Sequence, residues 1–319
     1  MLRNASWLWL VCGLAAAPFV LLVGARAAIG LASARLESRY PPPGRLVDVD
    51  GHRLHIYCMG SGNPVVVLEP GMGSDWVTWL PVISNLAAQG EVCVYDRAGY
   101  GWSDSGPTPR TALRIAAELR RLLTQARVPG PYLLIAHSFG AYIARMYADR
   151  FPHSLRGIVM VDPLQEEDGH EPDPVPRFTF GVRGLISLLP PLGSERLVRL
   201  YKGEKALPAP LKNAPAPYQR RFLIASPLRQ LTAERNEFES LPLTERELRG
   251  ATFPDYLPLT VITAGRLENG GLHRARQAKL ALLSRHGKQV VAEFSGHSVQ
   301  LFQPGLIVEA VRAMIEEGR

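Results

Sequence analysis

Ser138 sits between an apolar run, Tyr132-Leu133-Leu134-Ile135, and a helix-like pattern, Tyr142-Ile143-Ala144-Arg145-Met146-Tyr147. Ala136 lies two residues before it and Gly140 two after. A strand that turns sharply into a helix around one serine exposes the hydroxyl, and small residues on both sides let the two backbones approach. This is the layout of a G-x-S-x-G nucleophile elbow, with Ala136 where the first glycine is expected. The helix N-terminus behind the serine favours negative charge developing there. A serine hydroxyl is a poor nucleophile alone. It needs a base for its proton and a carboxylate to hold that base.

Several other polar residues also follow strand-like runs directly. Pro64-Val65-Val66-Val67-Leu68-Glu69 is continuous and β-branched, as in a strand buried on both faces, and stops at Pro70-Gly71-Met72-Gly73. A glycine loop there lets backbone approach a ligand, and the Met72 N–H is a candidate oxyanion donor; a tight turn is the plain alternative. Glu91-Val92-Cys93-Val94-Tyr95 ends in Asp96-Arg97-Ala98-Gly99-Tyr100-Gly101. Leu155–Val161 ends at Asp162-Pro163. Gln289–Phe294 reads as the last strand and is followed by Ser295-Gly296-His297-Ser298.

The intervening segments read as helices at 75–88, 112–127, 272–286 and 305–317, with Trp76 and Trp79 at core spacing. Arg45–Asp50 and Arg53–Cys58 alternate around Asp50-Gly51, a hairpin signal. A hairpin followed by alternating strands and helices implies an α/β fold, a mostly parallel sheet with helices on both faces. Ligands of such sheets bind at the carboxyl ends of the strands, so one edge collects Met72, Ser138, Asp162 and His297. Between about 165 and 255 the alternation breaks into a Pro-, Arg- and Leu-rich segment with helical pieces at 193–200 and 219–224, read as a helical insertion.

The chain has 319 residues, 46% apolar and 20% charged, with a formal charge of +7. The basic residues are scattered, with no Lys/Arg block interleaved with aromatics, so nucleic acid is not an expected partner. Its three cysteines, Cys12, Cys58 and Cys93, form no C-x-x-C pair or Cys/His cluster, so no metal is expected. Ala5 to Ala25 carries no charge, and about 20 such residues suffice to cross a bilayer. Residues 1–39 are therefore expected to be a single-pass membrane anchor and its flank; a cleaved signal peptide, with Ala32-Ser33-Ala34 as its site, is the alternative. Arg26, Arg35 and Arg39 after the span lean towards a cytoplasmic main domain. Tyr40-Pro41-Pro42-Pro43-Gly44 is a stiff linker into a domain over 45–319.

Taken together, Gly51–Cys58, Val67-Leu68-Glu69-Pro70-Gly71, Tyr95–Asp104, Ala136-His137-Ser138-Phe139-Gly140 and Gly296-His297 resemble the α/β-hydrolase fold superfamily. Within it, the chain is similar to bacterial serine hydrolases with an amino-terminal membrane segment ahead of a Pro-Pro-Pro-Gly-type linker. The resemblance implies an eight-stranded sheet with a helical cap at the insertion, lining an apolar pocket. It implies Ser138 as nucleophile, His297 as base and acid, and the Met72 and Phe139 N–H groups as the oxyanion hole. His137 lies inside the elbow and points away from the serine oxygen. His52, His55, His153, His273 and His286 read as surface or packing residues, and His170 falls in the insertion.

For the acid, the resemblance leaves two positions: Asp162 after one strand, favoured here, and Glu268 in the loop after the strand Leu257–Ala264. Glu69 stands where many relatives have His. The implied activity is hydrolysis of a small apolar ester-like substrate (carboxylic ester, thioester, lactone or amide) through an acyl-serine, with no cofactor. The alternative is a membrane-tethered binding or sensing protein with little turnover. The strands carrying Cys58 and Cys93 are neighbours in this fold, so a disulfide there and two small buried residues both remain open.

Overall fold

The computed structural model describes residues 41–166, 205, 207–224, 228–267 and 270–317, with scattered positions before residue 41. Eight strands form one sheet: β1 Arg45–Asp48, β2 Arg53–Met59, β3 Val65–Glu69, β4 Glu91–Tyr95, β5 Tyr132–His137, β6 Leu155–Val161, β7 Leu259–Ala264 and β8 Gly287–Ala292. Their order is β1-β2-β4-β3-β5-β6-β7-β8. β1 and β2 form an antiparallel hairpin and β2 runs antiparallel to β4; every other pairing is parallel. Asp50 and Gly51 both have positive φ, 55° and 91°, the backbone of a type I′ hairpin turn.

The apolar runs are buried on both faces. Val65 and Val67 of β3 join one core cluster while Val66 and Leu68 join the other, and Leu134 and Leu133 of β5 divide in the same way. The longer described helices are α1 Leu80–Ala87, α2 Ala112–Gln125, α3 Gly140–Arg150, α4 Ala216–Ile224, α5 Leu228–Glu239, α6 Leu241–Arg249, α7 Gly270–Ala281 and α8 Pro304–Glu317; a single helical turn, Val299–Phe302, precedes α8. α2 packs on α3 at one face of the sheet, and α8 packs on α1 at the other.

Several boundaries differ from the sequence pattern: the helix expected over 272–286 is α7 Gly270–Ala281, the strand expected over 257–264 is β7 Leu259–Ala264, and two further differences bear on the site. The helix expected over 75–88 is a 3-10 turn, Trp76–Trp79, followed by α1. Pro81 lies in the first turn of α1, where its missing N–H costs nothing. β8 ends at Ala292 instead of Phe294. The donors beyond it leave the ladder: Ser295 N–H goes to the Ala292 carbonyl at 3.1 Å and Phe294 N–H to Gln303 Oε1 at 2.8 Å. His297 therefore sits on a loop and not on the strand end itself.

The described part of the 165–255 insertion is helical, α4 to α6, and two hydroxyls of that part are tied to the body. Ser240 Oγ accepts the Arg110 N–H at 2.9 Å and Thr244 Oγ1 the Ala112 N–H at 3.1 Å, satisfying donors at the start of α2. The helical piece expected at 193–200 lies outside the described residues. So does Ala5–Ala25, apart from scattered positions. Among the described residues no helix is long and apolar enough to cross a membrane.

Cys58 and Cys93 face each other in the β2–β4 register and are joined as a disulfide. Their ligand atoms and that of Glu91 lie within 4.8 Å of one another, but both sulfurs are committed to the bridge and neither is a thiolate for a metal. The bridge closes a sequence separation of 35 residues. Chain entropy then predicts that replacing both cysteines with serine lowers unfolding free energy by roughly 3–4 kcal/mol, read from urea melts of oxidised wild type and the double variant.

Candidate active site

Ser138 adopts φ of +53°, a left-handed conformation rare for a residue with a side chain. The surroundings hold it there. Its N–H donates to the Val161 carbonyl at 3.0 Å, and its carbonyl accepts from Ala141 and Leu164 N–H, each at 3.0 Å. Close approach explains two glycines. A Cβ on Gly140 would lie 2.8 Å from Glu69 Cγ, and one on Gly71 would lie 2.7 Å from His137 Nδ1 and 3.2 Å from Ser138 Cβ. The glycine loop after β3 is thus packed against the elbow. Ala136, in place of the first elbow glycine, is fully buried within β5, opposite Glu69 on β3 and Met160 on β6.

Asp162 follows β6, beside the elbow, and is 2% exposed. Its Oδ2 accepts from His297 Nδ1 at 2.6 Å. Its Oδ1 accepts from the Ala264 N–H at 3.0 Å, His273 Nε2 at 2.7 Å and Gln277 Nε2 at 3.1 Å. His273 was expected at the surface or in packing; it is a second histidine on this carboxylate. Successive turns of α7 carry His273 and Gln277, a spacing of four residues that puts them on one helix face. Glu268, the alternative acid, lies outside the described residues, as does His170.

The His297 side chain is half exposed and its ring lies 4.6 Å, centroid to centroid, from that of His137. His137 does more than pack: its Nε2 donates to the His297 carbonyl at 3.0 Å, and Gln300 Nε2 reaches its Nδ1 at 3.4 Å. The histidine next to the serine therefore fixes the backbone of the loop carrying His297. Burial, and then the nearby His297, push His137 down to about 3, so it stays neutral and keeps the single Nε2–H donor this contact requires.

Met72 follows Gly71 in the glycine loop packed on the elbow, and Phe139 follows Ser138. Neither N–H is taken by another described backbone carbonyl. Behind the Met72 loop, Glu69 is fully buried, accepting from Tyr95 Oη and from Arg97 Nη1, the latter at 2.9 Å. Glu69 thus bonds away from the serine, into the body of the protein. The chemistry available at this edge is a hydroxyl on a strained turn, an imidazole oriented by a buried carboxylate, and two N–H groups with no backbone acceptor among the described residues.

A family model described as alpha/beta hydrolase fold matches residues 64–262. The chain belongs to this family. An AB hydrolase superfamily protein of Gibberella zeae is 28% identical over 285 residues, 80% of this chain and 87% of that protein. The uncharacterized protein YqjL of Bacillus subtilis is 36% identical over 116 residues, 36% of this chain and 46% of that protein, so the match spans less than half of that relative. The epoxide hydrolase CorEH superposes with a TM-score of 0.64 at 20% identity, covering 86% of this chain and 99% of that one. A thermophilic esterase from Thermogutta terrifontis, bound to malate, gives 0.65 at 18%, covering 86% and 98%. These structures share the fold.

In this alpha/beta hydrolase the Asp162 carboxyl is held at about 2. Burial pushes it up, but the hydrogen bonds from His297, the Ala264 N–H and His273 outweigh burial. Its folded value thus lies below the ordinary 3.8. The stabilisation is present above that pH and lost as pH falls towards 2. Asp162→Asn should therefore unfold at lower urea than wild type at pH 6, with the gap narrowing at pH 3.

Proposed function

We propose that this alpha/beta hydrolase cleaves an ester-like bond (carboxylic ester, thioester, lactone or amide) through an acyl-serine on Ser138. The observation that carries the reading is the Asp162–His297 contact at 2.6 Å, made by an imidazole whose ring lies 4.6 Å, tilted, from that of the residue next to a strained serine. Asp162 holds Nδ1–H, so the lone pair on Nε2 is the basic one. Ser138 Oγ attacks the carbonyl carbon as its proton passes to His297 Nε2. The Met72 and Phe139 N–H groups receive the oxyanion, and His297 returns the proton to the leaving oxygen, nitrogen or sulfur. Water then repeats the sequence on the acyl-serine.

The family and its hydrolase neighbours support hydrolysis, and serine at the elbow, in place of a nucleophilic carboxylate, favours acyl transfer over epoxide opening. The insertion over about 165–255 is proposed as a cap lining an apolar substrate pocket. Residues 1–39 are proposed as a membrane tether. The Cys58–Cys93 bridge supports an oxidising compartment for the domain, against the lean of Arg26, Arg35 and Arg39.

A fluorophosphonate probe should label wild type at neutral pH and leave Ser138→Ala unlabelled. Asp162→Asn should lower kcat by about 10⁴-fold, because an amide favours the wrong imidazole tautomer. A folded wild type that resists the probe would make this a binding protein with the hydrolase fold.

A further inference from the structure

Arg97 is 1% exposed, and each of the five N–H groups of its guanidinium has an acceptor. Nε and Nη2 grip Glu237 of α5 in a two-pronged pair, at 2.7 and 2.9 Å. Nη1 donates to Glu69 Oε1 at 2.9 Å and to the Pro70 carbonyl, and Nη2 donates to the Gly71 carbonyl at 3.0 Å. Two donors thus go to consecutive carbonyls of the loop that carries Met72.

The Gly71 carbonyl and the Met72 N–H belong to one peptide unit. The cis bonds of the described residues are all X-Pro, so this unit is trans, and its carbonyl and N–H point in opposite directions. Fixing the carbonyl on Arg97 fixes the direction of the N–H. A charged donor on the carbonyl also polarises the peptide and makes its N–H a stronger donor. The same loop lies against Ser138, as the 3.2 Å approach of a Gly71 Cβ to Ser138 Cβ shows. Helix α5 grips the loop a second time. Tyr100 Oη donates to Glu237 Oε2 at 2.8 Å and accepts from the Gly73 N–H at 3.3 Å, while Gln230 Nε2 donates to the Gly73 carbonyl at 3.2 Å.

We propose that Arg97 is a positioning residue that aims the Met72 N–H at the substrate oxyanion, and that Glu237 on α5 holds Arg97, so that seating of the insertion helix sets the geometry of the oxyanion hole. The inference rests on the serine-hydrolase reading. An aimed donor acts on the transition state and not on the bound ester, so its loss falls on kcat and not on KM.

The test uses the full chain with p-nitrophenyl acetate as substrate and a trifluoromethyl ketone as tetrahedral analogue. Arg97→Lys should lower kcat by about 100-fold and Glu237→Gln by about 10-fold, with KM within about twofold and analogue affinity falling in step with kcat. Arg97 is buried, so if Arg97→Lys does not fold, Glu237→Gln decides. If that variant also fails, Tyr100→Phe, which removes one hydroxyl, decides by the same readout. Wild-type kcat and analogue affinity in the deciding folded variant, or a loss confined to KM, overturns the proposal. If wild type labels at Ser138 and the variants turn over normally, only the Arg97 assignment fails. If wild type does not label, both readings fall.

Discussion

The carboxylate of Asp162 is the point on which the site depends. Donors reach it from β7, from two successive turns of α7 and from the loop after β8. Burying a carboxylate is costly unless its oxygens are hydrogen-bonded, and here the donors outweigh the cost. Because these donors come from three parts of the chain, the carboxylate forms its full set of bonds only when β7, α7 and the His297 loop are all in place. Asp162 itself adopts φ of +40°, so the extended backbone of β6 ends there. The backbone of Ser138 is tied to the same turn through Val161 and Leu164. Ser138 and Asp162 therefore share one rigid corner of the sheet.

A second buried charge cluster supports the opposite wall. Glu69, Arg97 and Glu237 come from β3, the loop after β4 and α5, and their side chains are all inaccessible to solvent. Isolated burial of any one of them would be prohibitive; the group is tolerated because the guanidinium is fully paired. Burial pushes Glu69 up to about 7 in spite of Arg97 and Tyr95, while the two carboxylates keep Arg97 charged against the same burial. Such a cluster is tolerant of neither loss nor displacement, and that makes it suited to holding a loop still. Its geometry is matched to two carbonyls of the glycine loop beside Ser138.

Much of the fold was legible in the sequence because its signals are local. A continuous β-branched run marked β3, an apolar run marked β5, Asp50-Gly51 marked the hairpin, and small residues around Ser138 marked the turn. Where the reading slipped, a local signal competed with one that the pattern does not carry. Pro81 split the expected helix after β3, and side-chain and turn bonds drew Phe294 and Ser295 out of β8. His273 read as an ordinary helix residue, since nothing in its neighbourhood announces a partner 111 positions away. The pair His273 and Gln277, four apart on α7, was the available signal. His137 was understood as pointing away from the serine, but its role against the His297 loop was not visible.

Sequence alone determined the order of strands and helices, the position of the serine turn and the set of residues at strand ends. These follow from periodicity and from the steric demands of glycine and proline, which act over a few residues. Tertiary structure decided which groups meet: Asp162 with His297 and His273, Cys58 with Cys93, and Arg97 with both the glycine loop and α5. Those pairings depend on strand order and on the close approach of distant backbones. A hydrogen bond tolerates errors of only a few tenths of an ångström, and no local pattern specifies distance at that scale.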